Sequence, residues 1–260
     1  MKPSDKWAAD LALWAIPPEI LSQVEAMPWI HSVSQFTPPA EIPDSPSHQR
    51  AREALPAGGS VLDVGSGGGR ASMAIAPPAA SVVAVDTEQE MLDVLSDQAR
   101  ARGVTAQTFV GRWPDVADDV PSCDVVTCHH VVYNVADIIP FLLALNSHAT
   151  RRVVLELPIS HPQSNLAPLW KHFWNLDRPT NPTADDLLAC ALQAGLPAQM
   201  EVWVDESWGN RVELPVAERV ATVRRRVCLN ADRDEEIADF LATNPEEPER
   251  RVATVWWDLA

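Results

Sequence analysis

The sequence has few of the features that mark zinc-binding, secreted or membrane proteins. Its four cysteines, Cys123, Cys128, Cys190 and Cys228, are widely spaced and include no Cys-x-x-Cys pair, which argues against a zinc site and against a disulfide framework. The N-terminal segment has no long apolar core, and no stretch reaches the roughly 18–20 apolar residues of a membrane span. We therefore expect a cytoplasmic protein in a reducing compartment, without a metal site.

Positive charge is also scarce. The 260 residues include 20 Lys and Arg but 36 Asp and Glu, so that the formal net charge is −16. This charge repels nucleic-acid backbones and anionic lipid surfaces. The short basic run at residues 224–226 lies on a predicted helix, where a solvated face is the ordinary interpretation. We expect a small-molecule partner and neither a nucleic acid nor a membrane, and the sequence leaves the oligomeric state open.

Tyrosine and phenylalanine are rare, with one and five residues, whereas tryptophan occurs ten times. Trp170 and Trp174 are one helical turn apart and so share a helix face, and Trp29 and Trp208 fall in other segments that are rich in Pro or Trp. These four rings and Tyr133 are candidates to line an apolar substrate pocket. The alternative is that the rings pack these segments onto the sheet, which the large area that each ring buries favours.

Residues 60–158 alternate short β-branched runs with helical periods, a pattern typical of a parallel sheet covered by helices. The predicted strands are SVLDV, SVVAV, AQTFV, CDVVTC and RRVVLEL, followed later by AQMEVWV and RVATVWWDL. Helices are predicted over residues 88–102, 183–194 and 216–227, with a short one from Asp232. Thr183 and Asp186 have the spacing of a capping box. The sequence thus predicts a doubly wound α/β fold.

Three segments rich in Pro or Trp lie outside this pattern, at residues 1–55, 159–182 and 206–249. We interpret residues 56–260 as one domain with cap insertions at about 159–182 and 206–249, and residues 1–55 as an N-terminal lid. The prolines of this lid prevent a continuous helix. Its apolar rings nevertheless need a surface to cover: Trp14, Trp29 and Phe36.

The first predicted strand ends in VLDVGSGGGR, which places Asp63, Gly65, Gly67 and Gly69 in the order D-x-G-x-G-x-G. Glycines after a parallel strand allow a sharp turn and let a ligand approach the backbone, and the next helix N-terminus offers unpaired N–H groups. A dinucleotide fingerprint requires a third glycine where Arg70 stands, and the Gly-Lys-Ser/Thr of a P-loop is absent. We therefore predict a ligand-binding loop that belongs to neither of these phosphate-binding motifs.

The second predicted strand ends in Asp86, which is 86 − 65 = 21 residues after the first glycine of the loop. A carboxylate at this position faces the ribose of a bound nucleoside, because it can accept hydrogen bonds from both vicinal hydroxyls. The loop and the acid together predict a nucleoside-containing cofactor.

With these features the chain resembles the class I S-adenosylmethionine-dependent methyltransferases over roughly residues 55–205 and the last strand. The resemblance rests on the glycine loop, on Asp86, on GRW after the third strand and on CHHVVYNV after the fourth. It implies a seven-stranded, mostly parallel, Rossmann-like sheet of order 3-2-1-4-5-7-6 with an antiparallel last strand. It also implies S-adenosyl-L-methionine as the cofactor, held by Asp63, Gly65, Ser66, Gly67, Gly69, Asp86, Thr87, Met91, Gly111, Arg112, Trp113 and His129.

One position departs from the family pattern. Many relatives carry an acid after the third strand that accepts a hydrogen bond from the adenine amino group, whereas this chain has Arg112 and Trp113. The adenine contact therefore passes to the backbone or to the Trp113 ring. Met91 contacts adenine in one interpretation and belongs to the core in the other.

Histidines and the single tyrosine follow the fourth strand in CHHVVYNV. The carboxyl ends of the strands form the edge at which open α/β sheets bind their ligands, so His129, His130 and Tyr133 are the candidate catalytic residues. A hydroxyl acceptor needs a base, for which a histidine is suited, whereas a carboxylate acceptor needs none. We choose His130 over His129 as the base, because strand alternation carries His129 toward the sheet face.

The predicted function is methyl transfer from S-adenosyl-L-methionine to a small molecule, at the oxygen of a hydroxyl or carboxylate. Methyl transfer to nitrogen or carbon is one alternative, and a cofactor-binding module without turnover is another. The pocket decides between enzyme and module, because only an enzyme needs space for an acceptor beside the cofactor. An NAD-linked oxidoreductase is a third alternative, which Arg70 at the third glycine position disfavours.

Overall fold

A computed structural model describes residues 1–24, 28, 37–39, 41–206, 215–244 and 249–259. Its strands are β1 (Ser60–Val64), β2 (Ser81–Asp86), β3 (Thr105–Val110), β4 (Cys123–His129), β5 (Ala149–Pro158), β6 (Gln199–Asp205) and β7 (Arg250–Asp258). Its α-helices are α1 (Pro3–Ala12), α2 (Pro18–Leu21), α3 (Pro46–Ala54), α4 (Arg70–Ala74), α5 (Gln89–Ala101), α6 (Ile138–His148), α7 (Ala167–Trp174), α8 (Ala184–Gln193), α9 (Val216–Arg226) and α10 (Asp234–Thr243).

The strands form one seven-stranded sheet of order β3-β2-β1-β4-β5-β7-β6. Neighbouring strands from β3 to β5 pair in parallel, and β7 pairs antiparallel with both β5 and β6. The predicted fold class, strand order and antiparallel last strand are confirmed. The carboxyl ends of β1, β2 and β4 meet at one edge, which brings the glycine loop, Asp86 and the two histidines together.

The strand sequences explain their places in the sheet. The central strand β1 is buried from Val61 to Val64, and β2 from Val82 to Val85, as expected for parallel strands that are covered on both faces. The edge strands β3 and β6 instead alternate between more and less exposed residues. Each predicted strand begins and ends within two residues of the observed strand.

Helices cover both faces of the sheet. On one face, Phe141 of α6 and Leu187 of α8 pack with Leu62 and Val126 of the strands. The capping box that begins α8 is present, because the Thr183 N–H donates to Asp186 Oδ2 at 2.8 Å and its side chain accepts from the Asp186 N–H. The opposite face is covered by α5 and α3.

A third apolar cluster forms a cap beside the sheet. It joins Ile20 of α2, Trp170 of α7, Val223 of α9 and Ile237 of α10. Segments that sequence analysis assigned to separate insertions and to the lid thus share one cluster. The N-terminal helix α1 docks elsewhere, where fully buried Trp7 donates its Nε1–H to the Val135 carbonyl at 2.7 Å.

Helix α3 was missed by sequence analysis, which placed residues 46–54 in the lid. Ser45 caps it by accepting a hydrogen bond from the His48 N–H, and Pro46 is its first residue, a position that tolerates proline. Ser47, His48 and Ala51 are buried against the sheet, where the Ser47 and Thr254 hydroxyls are 2.6 Å apart. This part of the predicted lid therefore packs on the central sheet as an integral layer of the fold.

Candidate active site

The glycine loop after β1 has the backbone that its sequence predicts. Gly65, Gly67 and Gly69 all have positive φ, at 67°, 50° and 89°, a region that glycine enters without strain. A Cβ added to Gly65 would lie 2.3 Å from Val131 Cγ2, in the loop that follows β4. The absence of a side chain therefore lets the β1 and β4 loops close on each other and shapes the cradle for a ligand.

Asp86 at the end of β2 is tied to this loop. Its Oδ2 accepts a hydrogen bond from the Gly67 N–H at 2.8 Å, and its Oδ1 accepts one from the Glu88 N–H at 3.1 Å. An ionised carboxylate has about four acceptor positions, so the pair of ribose hydroxyls can be added to these two bonds. The observed contact between the loop and Asp86 fits a nucleoside-containing ligand.

Asp63 supports the loop from below. It is buried and accepts hydrogen bonds from the Ser72 hydroxyl at 2.6 Å and from the Thr127 hydroxyl at 3.2 Å. Burial raises its pKa to about 6, and the bonds from Ser72 and Thr127 limit the rise. Its carboxylate joins β1, β4 and the start of α4, so its contribution in this structure is to hold the loop rather than to face the ligand.

The residues that were predicted to lie near the adenine differ in their exposure to solvent. Thr87 and Arg112 are exposed, and Met91 is buried. The Gly111 N–H donates to the Asp86 carbonyl at 2.9 Å. Trp113 is only 6% exposed and packs edge-on against His148, with ring centroids 4.9 Å apart. The suggestion that its ring offers a face to adenine is therefore corrected, because the ring packs inside the apolar core.

His129 lies on the sheet face, as strand alternation indicates. Its ring stacks on His48 of α3, with ring centroids 5.7 Å apart, and its side chain is only 10% exposed. Burial lowers its pKa to about 3, and its Nε2 has no hydrogen-bond partner among the described residues. A neutral, enclosed imidazole does not take up protons near neutral pH, so His129 is a poor candidate for a base.

His130 points away from this interior. It leaves β4 with φ at 62°, its side chain is 40% exposed, and its Nε2 lies 3.0 Å from Glu156 Oε1. Glu156 is a buried acid on β5 that also accepts a hydrogen bond from the Ser45 hydroxyl at 3.2 Å. Burial alone would raise the pKa of Glu156, but its hydrogen bond with His130 counteracts burial and holds the pKa below its usual range. The result is a carboxylate–histidine pair at the ligand-binding edge.

Tyr133 has a structural hydrogen bond. Its hydroxyl donates to the Pro158 carbonyl at 2.8 Å, its ring stacks on Trp7, and burial raises its pKa. A hydroxyl that is occupied in this way does not act as an acid or base in this structure, which corrects its place among the catalytic candidates. The edge of the ring still lines a cavity.

Of the proposed substrate tryptophans, the two that the structure describes pack within the cap. Trp170 is fully buried in the cap cluster, and the Nε1–H of Trp174 donates to the Val227 carbonyl at 2.7 Å. Both rings hold the cap together, which is the alternative that ring area favoured, and their assignment to the substrate is corrected. Trp29 and Trp208 lie outside the described residues.

Sequence analysis missed Glu156, which the structure places at the centre of the site. The one signal was a single acid inside the apolar run RRVVLEL, because an unpaired charge is rarely tolerated in a buried strand. His48 was missed for another reason, since nothing in the sequence predicted that α3 packs over β4.

Part of the chain is similar in sequence to known methyltransferases. The family model of the methyltransferase domain matches residues 61–148. Over 98 residues the chain is 38% identical to a ubiquinone biosynthesis O-methyltransferase of Xanthomonas campestris, covering 37% of this chain and 41% of that protein. Over 82 residues it is 30% identical to the uncharacterized methyltransferase YcgJ of Bacillus subtilis, covering 30% and 31%. These matches span less than half the length of either relative.

The fold comparison extends over more of the chain. A SAM-dependent methyltransferase from Thiobacillus denitrificans, solved in complex with S-adenosyl-L-homocysteine, aligns with a TM-score of 0.55 and 20% identity over 89% of this chain and 99% of that one. The YcgJ structure aligns with a TM-score of 0.53 and 19% identity over 82% and 97%. At such identities the likeness concerns the fold.

Residues 61–148 thus match a methyltransferase domain in sequence. The glycine loop, the acid after β2 and the sheet order have the form of the class I S-adenosylmethionine-dependent methyltransferase fold. In the part of the chain that the structure describes, no helix is both long and apolar enough to cross a membrane. The same part holds no group of three or more His, Cys, Asp or Glu residues arranged to bind a metal ion.

Replacement of Asp86 tests the cofactor site. We expect Asp86→Ala to weaken the binding of S-adenosyl-L-methionine by about 1–3 kcal/mol, because buried hydroxyls lose a charged acceptor and the Gly67 N–H loses its partner. Isothermal titration calorimetry measures the change. Asp97→Ala is the matched control, since Asp97 is an exposed acid on α5 that pairs with Arg100. Equal affinities of the two variants would move the ribose site elsewhere.

Proposed function

We propose that the protein transfers a methyl group from S-adenosyl-L-methionine to a hydroxyl oxygen of a small molecule. The pair of His130 and Glu156 carries this proposal, because a carboxylate acceptor requires no base whereas a hydroxyl must lose its proton. The name of the Xanthomonas campestris O-methyltransferase supports transfer to oxygen.

The residues around the loop fit the cofactor. Gly65 and Gly69 have no Cβ atoms, which would come as close as 2.3 Å to Val131 and 3.0 Å to Leu95, and Asp86 offers a carboxylate beside the loop. The bound sulfonium supplies an electrophilic methyl group. The chain then has to orient the acceptor, exclude water and remove one proton, and alignment alone can contribute about 7–11 kcal/mol.

His130 is arranged for the removal of that proton. When its Nε2–H donates to Glu156 Oε1 at 3.0 Å, the proton of the neutral ring is fixed on Nε2 and Nδ1 remains an acceptor. The acceptor O–H transfers its proton to Nδ1 while the oxygen forms its bond to the methyl carbon and the carbon–sulfur bond breaks. The negative charge of Glu156 then stabilises the imidazolium that results.

An acceptor screen tests the proposal. The purified protein is incubated with methyl-deuterated S-adenosyl-L-methionine and a library of alcohols, phenols, carboxylic acids, amines and sugars, and products are detected by mass. We expect the label on hydroxyl oxygens. Label on carboxylates or amines alone would contradict the proposal, and cofactor binding without any product would favour the alternative of a module without turnover.

We also propose that the part of residues 1–55 that precedes α3 closes over the bound ligands. The described part of this segment already contacts the site, through Trp14 stacked on His161 and through Ser45 bonded to Glu156. S-adenosyl-L-homocysteine together with a methylated product should slow cleavage within residues 1–55 in limited proteolysis. Equal cleavage rates with and without these ligands would refute closure.

A further inference from the structure

A cavity of about 340 Å³ lies between α1 and the loops that follow β4 and β5. Its volume is at the small end of the range of about 300–1,000 Å³ for ligand pockets. Ala8, Leu11 and Ala12 line one side, since positions three and four apart share a helix face. Tyr133 and Ala136 line the other side. These short or flat side chains leave a slot with apolar walls.

The cavity also has polar lining residues. They are Asn134, His161 and Gln163. The His161 Nδ1 accepts a hydrogen bond from the Gln163 N–H at 3.3 Å, which places the ring proton on Nε2. Among the described residues none accepts a hydrogen bond from this Nε2. The cavity therefore combines an apolar body with a neutral hydrogen-bonding end.

None of the residues that line the cavity carries a formal charge near neutral pH. Its one titratable residue besides the occupied Tyr133 is His161, and burial, followed by nearby Arg178, lowers the pKa of His161 to about 4. Arg178 lies over the Trp14 ring and donates to the Trp14 and Ala15 carbonyls, and it is not part of the cavity wall. A carboxylate in the slot would lose part of its hydration and would meet no cationic side chain in the cavity wall, which disfavours it over a neutral group.

The cavity is close to the proposed base. Tyr133 follows His130 by three residues, so their Cα atoms are at most about 10 Å apart. Residues 132–134 form a single 3₁₀ turn directly after the loop that contacts Gly65. Tyr133 and Asn134 of the cavity wall thus belong to the same loop as His130 and as Val131, which approaches Gly65.

We propose that this cavity is the acceptor site, and that it selects neutral, largely apolar hydroxyl compounds over carboxylic acids. This proposal rests on the proposed function. The apolar body packs against Ala8, Ala12 and Ala136, and the polar end is held by Asn134, His161 and Gln163. The cavity thereby excludes the carboxylate acceptor that sequence analysis left open.

Binding of two matched probes tests the proposal in the intact protein with S-adenosyl-L-homocysteine present. 2-Naphthol is neutral at pH 7 and 2-naphthoate is an anion with the same ring system. We expect calorimetry to show 2-naphthol binding at least ~10-fold more tightly than 2-naphthoate, a difference of about 1.4 kcal/mol. Equal affinities, tighter binding of 2-naphthoate or no binding of 2-naphthol would overturn the proposal.

A variant that fills the slot localises the binding. Ala8→Leu/Ala12→Leu adds two larger side chains to the cavity face of α1, and leucine keeps the helix propensity. We expect at least a ~10-fold loss of 2-naphthol affinity with unchanged affinity for S-adenosyl-L-homocysteine. Ala9→Leu is the matched control, because Ala9 is an exposed residue of α1 outside the cavity wall. Unchanged 2-naphthol binding by the double variant would place the acceptor elsewhere.

The two proposals fail in different ways. If the acceptor screen yields no hydroxyl product, the proposed function is wrong. The screen can instead identify hydroxyl acceptors. If the KM of such an acceptor is the same for the wild type and for Ala8→Leu/Ala12→Leu, methyl transfer to oxygen stands and the assignment of the cavity is wrong.

Discussion

Replacing His130 by alanine is expected to lower kcat by about 10²–10⁴, the usual contribution of a positioned general base. The loss should appear in kcat, because the side chain that is removed acts on the acceptor proton and lies outside the contacts of Asp86 and Gly67 that position the cofactor. Calorimetry with S-adenosyl-L-homocysteine should therefore give the same affinity for the variant and the wild type. Initial rates with a hydroxyl acceptor from the screen measure the effect.

The pH dependence of the rate separates a base from a residue that only packs. For the wild type, kcat should rise with pH as the base loses its proton, and this acidic limb should disappear in His130→Ala. Glu156→Gln keeps a hydrogen-bond acceptor for Nε2 but removes the negative charge that stabilises the imidazolium. It should therefore lower kcat by less than His130→Ala.

The cap supplies a matched control for this experiment. His172 Nε2 lies 3.0 Å from Glu236 Oε1, the same separation as in the His130–Glu156 pair, and the His172 side chain is 43% exposed. His172→Ala removes a histidine of similar exposure that also faces a carboxylate, far along the chain from the glycine loop. We expect wild-type kcat and an intact acidic limb. A His130→Ala variant that also keeps both would remove His130 from the catalytic machinery.

The parts of the site that sequence analysis predicted are those that one stretch of chain determines. The positive φ angles of the glycine loop follow from D-x-G-x-G-x-G, and the place of Asp86 follows from the length of one β-α-β unit. In both cases the residues that determine the position of the chemical group lie near it in the sequence. Parallel pairing of β1 and β2 then brings them together without further information.

The parts that were missed depend on segments that are distant in the chain. Glu156 is recognisable as a partner of His130 only when β5 pairs with β4, and Ser45 joins it from a segment 111 residues earlier. Trp170 shows the opposite error, because a row of tryptophans at helical spacing has the same pattern whether it lines a pocket or fills a cluster. Only the packing of α7 against α9 and α10 decides between the two.

Gly65→Ala is expected to abolish cofactor binding at accessible concentrations and to destabilise the fold. The added Cβ would lie 2.3 Å from Val131 Cγ2, and relief of such a clash typically costs about 1–3 kcal/mol. The positive φ of 67° adds a penalty of roughly 1–2 kcal/mol for a residue with a side chain. Because Val131 directly follows His130, any shift that relieves the clash also moves the base.

Two further variants separate the clash from the backbone strain. Gly103 has a similar φ of 70°, but an added Cβ there would meet no atom within 4 Å, so Gly103→Ala should cost only the backbone penalty in thermal unfolding. Gly65→Ala/Val131→Ala removes the methyl groups that collide, and should recover part of the stability and of the affinity for S-adenosyl-L-homocysteine. The pair of residues should thus show a coupling energy of about 0.5–3 kcal/mol, as contacting residues do. If Gly65→Ala destabilised no more than Gly103→Ala and kept its affinity, the close approach of the β1 and β4 loops would have no part in holding the cofactor.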